Sequence, residues 1–581
     1  MLKRNEKLIK TKLWQYLLPG IMLTAALQIG NIVDTMLVGN ILGADAMSAV
    51  KIGMTVDNIM EIPGYVLGVG GSVAVGILLG KRERKKANKV FSSTLAISLI
   101  CGFIFSILSV TSPALASLLT GGNSLTADVS SFVFVTLLCA PILSLALQFI
   151  NYVAVDNNPS VASAYVITAN VINLVLDYVI LKFTPLGTAG AALSTALGYG
   201  IAMLLMIIYI KSPKRMLKLT NPFKGCKSSL KLAIATGVPT LLYMIFLTVK
   251  DFGLNTMIVQ VIGNDAMAVY TVCANVVLIV ELLVGGIIGT LASIGSVIYG
   301  EKDYFGIKSL CKNVVLYSYI VIAVLLVILF VFTDYVVAMF GISGGPLLDV
   351  AVVSLRIFVF CLPFYLFNKF MTTYYQSTEK TKISGIVTSL QTCVAILPIA
   401  FALVFVAKAL GFDMLNSLMI AFTLSEIITM IVAFVYRKIK YKKQGFLLLP
   451  TETADSCLDI SINCNIDEAE KLPREIIAFC KSKNIDSSKA NLVAVATEEM
   501  AVNIIKYGGK KASTIDINLS VADKTMILRT RDNGVPFDPT SYENDSDNFE
   551  IHGIEVIKKL TDKVHYMRVL DLNNTIIEIN I

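Results

Sequence analysis

Two sets of residues have types and spacings that could do chemistry. One is near the C-terminus. In "EEMAVN", Glu499 and Asn503 are four apart and share a helix face. In "RDNG", Asp532 and Gly534 close an alternating, strand-like run. In "HGIEV", Gly553 opens a helix, whose free backbone N–H groups suit phosphate. Asp-Asn-Gly alone makes an ordinary turn; its conjunction with Glu499, Asn503 and Gly553 points to a nucleotide site. The other set lies in apolar surroundings. Asp34 is a carboxylate inside an apolar run, and Asn173 and Asp177 are four apart in another. A charge at mid-membrane costs ~2.5–3.5 kcal/mol on insertion scales, so such a residue is a candidate for ion or substrate handling. The plainer alternatives are an Asp177 solvated at the outer interface and an Asn173 that only bonds a neighbouring helix.

These residues need very different surroundings, and the chain supplies both. Of 581 residues, 55% are apolar and mean hydropathy is +0.73, which places the chain in the membrane class. The apolar excess runs from Met1 to about Arg437; from about Leu458 charged and apolar residues mix as in a globular domain. Segments long enough to span fall near 13–38, 52–79, 91–111, 131–155, 161–181, 189–210, 230–262, 272–299, 309–332, 348–375, 383–407 and 415–436, about twelve in all. The basic start is followed by too long an apolar stretch for a cleaved signal, so a retained first span is expected. The ten cysteines show no CxxC pair or metal spacing and read as buried thiols.

Loop charge sets the expected orientation. Lys3, Arg4, Lys7, Lys10 and Lys12 precede the first span, "GKRERKKANK" follows the second, and "YRKIKYKKQ" follows the last. The alternate loops are nearly free of Lys and Arg. By the positive-inside rule both termini are cytoplasmic, in a multi-pass protein of the cell membrane. The basic loops read as orientation and lipid contact, with no nucleic-acid partner.

The halves repeat. "GADAM" from Gly43 recurs as "GNDAM" from Gly263, "DTMLV" from Asp34 as "NTMIV" from Asn255, and Pro19, Gly80 and Pro141 reappear as Pro239, Gly300 and Pro363. Five matches in order predict two six-helix halves, each starting and ending on the same side, hence parallel repeats about an axis along the membrane normal. Transporters built this way hold substrate between the halves.

"IVDTMLVGNILGADAMSAV", "NNPSVASAYVITANVINLVLDYVIL" and "PLGTAGAALSTALGYG" resemble the multidrug and toxic compound extrusion (MATE) family over roughly residues 10–440. The resemblance implies secondary antiport: export of organic, often cationic, compounds against inward H⁺ or Na⁺. It places Asp34, Asn173 and Asp177 together as the cation site of the first half. A carboxylate pair there can hold Na⁺ with amide and carbonyl oxygens, or share a proton. The second half has Asn255 where Asp34 would recur, and offers Lys250, Asp251, Glu281, Arg356 and Lys369. Lys250 and Asp251, being adjacent, are expected to point different ways. The membrane part has no histidine, so a proton relay must use carboxylates. No G-x-x-x-x-G-K-[ST] occurs, and "YGGKKAST" fails its spacing, which argues for an ion gradient over ATP hydrolysis as the driver.

The tail predicts a mostly antiparallel sheet with helices on one face, a two-layer α/β sandwich. Its expected elements are "LDISIN", helices "DEAEKLPREIIAFCKSKN" and "SSKANLVAVATEEMAVNIIKYG", strands "STIDINLS" and "KTMILRTRDNG", helix "GIEVIKKL" and a last hairpin. The three nucleotide motifs resemble the GHKL ATPase superfamily, most closely its anti-sigma-factor serine/threonine kinases. The resemblance implies ATP with Mg²⁺: Asp532 reads the adenine amino group, Gly534 admits close approach, Asn503 holds Mg²⁺ and Glu499 activates the attacking hydroxyl. Two departures are plain. The lid keeps only Gly553, and Tyr507 stands where the family commonly has histidine. The expected domains are 1–220 and 221–440 for the halves, a linker at 441–457, and 458–581 for the ATPase-like part. The reading is an exporter of small organic compounds with a cytosolic ATP-binding regulatory domain that could address a cytosolic protein. Alternatives are a membrane-anchored kinase or sensor and a lipid-linked saccharide flippase.

Overall fold

The computed structural model describes residues 2–581 except 123, 213–214, 341, 343, 443, 450–456, 510–511, 523–524, 542–557 and 559–560. It contains two compact units: Gln15–Lys442, and Met1–Trp14 together with Lys443–Ile581.

The larger unit is helical. Among the described residues ten helices are long and apolar enough to cross a membrane, and the pair Thr126–Leu138 and Ala140–Val155, bent by 59°, makes eleven. The remaining expected span, 13–38, lies in helix Lys7–Leu42, part of which falls outside the described side chains. The bend has a cause in Pro141, which lacks an N–H and opens the second helix of that pair.

The internal repeat is visible in a contact made twice. A Cβ on Gly80 would meet Val297 O at 2.0 Å, and one on Gly300 would meet Ile77 O at 2.2 Å. Gly80 and Gly300 are 220 apart, as are Ile77 and Val297, so a pseudo-twofold axis passes between helices Ala44–Gly80 and Ser296–Gly300. Only glycine lets the two backbones approach this closely.

The smaller unit is the expected sandwich. Strands β1 (Cys457–Asn463), β2 (Thr514–Ala522), β3 (Thr525–Asp532), β4 (Lys563–Val569) and β5 (Leu572–Asn580) form one antiparallel sheet in the order β1-β2-β3-β5-β4. Alternation sends Ile460, Ile462, Ile515, Ile517, Leu528 and Ile577 to one face, against helices Leu472–Ser482 and Ser487–Tyr507. The expected long first helix is broken: Ile466–Ala469 ends before Pro473, which starts the next helix. The expected helix "GIEVIKKL" and Gly553 lie almost wholly outside the described residues.

The N-terminal arm, which the sequence offers only as an orientation signal, belongs to this unit. Arg4 donates to Asp459 at 2.9 Å and to Asp516 at 3.2 Å, with its side chain 6% exposed. Asn5 N donates to Ser461 Oγ, which in turn donates to Asp516, and Leu2 packs against the core. Losing one member of a buried ion pair strands the others, so Arg4→Ala should destabilise this unit by about 3 kcal/mol, with Arg4→Lys intermediate. Denaturant unfolding of the full chain, read by hydrogen exchange in β1 and β2, checks this.

Candidate functional site

Helix packing brings Asp34 and Asp177 together. A Cβ on Gly30 would meet the Asn170 amide at 2.7 Å, and Asn170 Nδ2 donates to Ala26 O at 2.6 Å, which fixes helix Lys7–Leu42 against helix Pro159–Phe183. Asp34 follows Ala26 by two turns, as Asp177 follows its partner Asn170, so both carboxyls advance to about the same level. Gly198 similarly admits helix Gly187–Ala202, since its Cβ would meet Ala169 O at 2.7 Å. That helix supplies Ser194, which donates to Asp177, while Asn173 Nδ2 donates to Ser194 at 3.4 Å and to Thr195 at 3.3 Å.

Among the described residues, no Lys, Arg or His acts on either carboxyl of the resulting centre. The Asp34 and Asp177 carboxyls lie close enough to act directly on each other. Asp34 Oδ1 and Asp177 Oδ2 are buried and, among the described residues, meet no N–H or hydroxyl donor. Two carboxylates this close repel when both are ionised, so the arrangement suits a shared proton or a bound cation. Asn173, with Asp177 on the buried face, is one hydroxyl removed from the pair.

Two more acids stand beside it. Asp57, on helix Ala44–Gly80, is within electrostatic reach of Asp34, and Glu61, one turn on, is within reach of Asp57 and of Tyr65 and Tyr199. The signal was present in the sequence, as two acids four apart inside an apolar span.

The second half holds a cavity of about 430 Å³. Glu281 accepts from Lys369 at 2.9 Å and from Tyr365, and Lys250 lies 3.3 Å from Asp251. The adjacent pair thus meets after all: the lysine chain is long enough to reach the neighbouring carboxylate. Arg356 does not line the cavity: it donates to Thr333 and stacks over Phe330.

In the smaller unit, Asn503 and Asp532 line one pocket together with Tyr507, Phe537, Asn573 and Thr575. Asn503 Nδ2 donates to Glu499 Oε1 at 3.1 Å, so Glu499 backs the pocket through Asn503. Asp532 ends β3 opposite Asn573 of β5. It accepts from Gly534 N at 2.7 Å and from Asn573 Nδ2 at 2.9 Å, both on Oδ1, which leaves Oδ2 as an acceptor. Burial pushes its carboxyl above the usual range, while Asn573, Gly534 and the Arg568 charge pull it back. Gly534 is required by space: a Cβ there would meet Asp532 Oδ1 at 2.8 Å and Gly508 O at 2.9 Å. Asn573 is itself held by Arg568 at 2.7 Å and Tyr566 at 2.8 Å. Asn573 and Thr575 were not legible in the sequence, because only the β3–β5 register brings them to Asp532.

Comparison with known proteins agrees with both units. The MatE family model matches residues 19–179 and 239–402, the second match beginning 220 residues after the first. The model described as Histidine kinase-like ATPase domain matches residues 465–579. Multidrug export protein MepA of Staphylococcus saprophyticus is 23% identical over 410 residues, 70% of this chain and 89% of that protein. Probable multidrug resistance protein YoeA of Bacillus subtilis is 20% identical over 349 residues, 58% of this chain and 75% of that protein. Among solved structures, an outward-facing multidrug resistance MATE family transporter aligns with TM-score 0.68 and 20% identity, over 76% of this chain and 97% of that one. A MOP superfamily transporter from Pyrococcus furiosus aligns with TM-score 0.68 and 18% identity over the same shares.

Proposed function

We propose, from the premise that this chain belongs to the MatE family, that it is a secondary antiporter. It exports organic, often cationic, compounds in exchange for H⁺ or Na⁺, and its C-terminal domain binds ATP as a regulator. The multidrug-export names of its relatives support the substrate class. The observation that carries the reading is the buried Asp34–Asp177 pair, whose chemistry calls for a monovalent cation. Loading it would neutralise the excess charge, and release would restore the repulsion, so the pair can bias two arrangements of its helices. Asn173 and Ser194 would orient Asp177 for this exchange.

At the second site, the free Asp532 oxygen suits the adenine amino group, and Asn503, lining the same pocket, would hold the Mg²⁺ that arrives with ATP. Both termini are cytoplasmic in this reading, which puts that site in contact with cellular ATP. Ethidium efflux from everted vesicles, driven separately by a proton or a sodium gradient, tests the proposal. Export under one gradient without ATP is the expected result; export that needs ATP hydrolysis in the absence of any gradient overturns it.

A further inference from the structure

The cavity of the second half has uneven charge. Five ionisable groups other than tyrosine and cysteine line it: Lys250, Asp251, Glu281, Lys369 and Glu426. Lys369 pairs with Glu281 and Lys250 with Asp251. Glu426 is the acid left over: Lys250 lies within electrostatic reach of it, but that lysine's ion pair is with Asp251. Glu426 is 7% exposed, and its side chain accepts from two neutral amides: Asn368 Nδ2 at 2.7 Å and Gln391 Nε2 at 3.1 Å, both on Oε2. Oε1 receives only a long bond of 3.4 Å from Gln391. Buried charges are normally paired, and amides orient a carboxylate without cancelling its charge.

The walls around this excess acid are aromatic. Phe358 and Phe422 line the cavity and meet edge to face at 5.2 Å, and Tyr270 stacks on Phe422 at 6.0 Å. Ring faces attract cations that carry apolar substituents. The volume is that of a site for one drug-sized molecule. A rigid carboxylate, aromatic faces and two lysines already neutralised select a monovalent organic cation over an anion or a dication.

We propose that Glu426 holds the cationic centre of the exported compound in this cavity, apart from the Asp34–Asp177 pair. The proposal rests on the export reading above and names the group that reads the substrate's charge. The test is tetraphenylphosphonium binding to the purified full-length protein, beside ethidium efflux from vesicles. Glu426→Gln should weaken tetraphenylphosphonium at least about tenfold, equivalent to ~1.4 kcal/mol. Glu426→Asp should recover most of that loss. Tetraphenylphosphonium should also protect Glu426 of the unmutated protein from carbodiimide labelling, a readout that no folding defect can mimic. Wild-type affinity in Glu426→Gln, or labelling unchanged by the cation, overturns the assignment. So does normal binding combined with lost gradient-driven efflux, which would make Glu426 a coupling group. If the unmutated protein neither binds tetraphenylphosphonium nor exports ethidium, the export reading itself fails and takes this one with it.

Discussion

Asp34→Asn reduces gradient-driven export to background while the protein still inserts and folds. In the proposed exchange, a proton or cation comes and goes between the two neighbouring carboxyls of the wild type. An amide in place of Asp34 removes the repulsion permanently. It can donate to Asp177, so the buried Oδ2 gains a partner and the site settles in one arrangement. Insertion should improve slightly, because an uncharged side chain crosses the membrane at lower cost. Asp177→Asn should behave alike, whereas Asp57→Asn, one neighbour removed, should slow export without abolishing it. Efflux from everted vesicles, with expression and melting temperature as controls, decides the matter. Wild-type efflux by Asp34→Asn would refute the coupling role.

Asp532→Asn costs the full-length protein most of its ATP affinity and its preference for ATP over GTP. Adenine presents an amino donor where guanine presents a carbonyl. A carboxylate oxygen facing that carbonyl leaves two acceptors unpaired, at a cost of ~1–3 kcal/mol. The wild type should therefore favour ATP at least about tenfold, a factor that corresponds to 1.4 kcal/mol. Asparagine keeps the side-chain shape, and its oxygen can still accept from Gly534 N and Asn573. Its amino group then meets adenine's, donor against donor. Asn503→Ala should instead lose mainly the Mg²⁺ dependence. Calorimetric titration of the full chain measures all three proteins; the arm that Arg4 anchors on β1 and β2 makes the full chain the right material. Undiminished ATP binding by Asp532→Asn would show that adenine is read elsewhere.

The elements of this protein were legible from local pattern. Apolar runs fix spanning helices because unpaired backbone groups cannot face lipid. Period-two alternation fixed β1, β2, β3 and the last hairpin, with the helices on one face. The repeat was readable because an axis forces equivalent residues, such as Gly80 and Gly300, into equivalent contacts. Asp34, Asn173 and Asp177 stood out because charge and amide are costly in an apolar run.

Tertiary structure decided everything that depends on two distant stretches meeting. Asn573 joins Asp532 only through the β3–β5 register, where a shift of one residue would turn it to the other face. Asp57 and Glu61 join the Asp34–Asp177 pair through packing of helix Ala44–Gly80, and Lys369 meets Glu281 only where their two helices line one cavity. Arg4 shows the difference most directly. In sequence it is one more positive charge before a span; in the fold it is a buried cation between two aspartates more than four hundred and fifty residues away. A local pattern records what each residue costs in its own segment. Which partner offsets that cost is settled only when the segments pack.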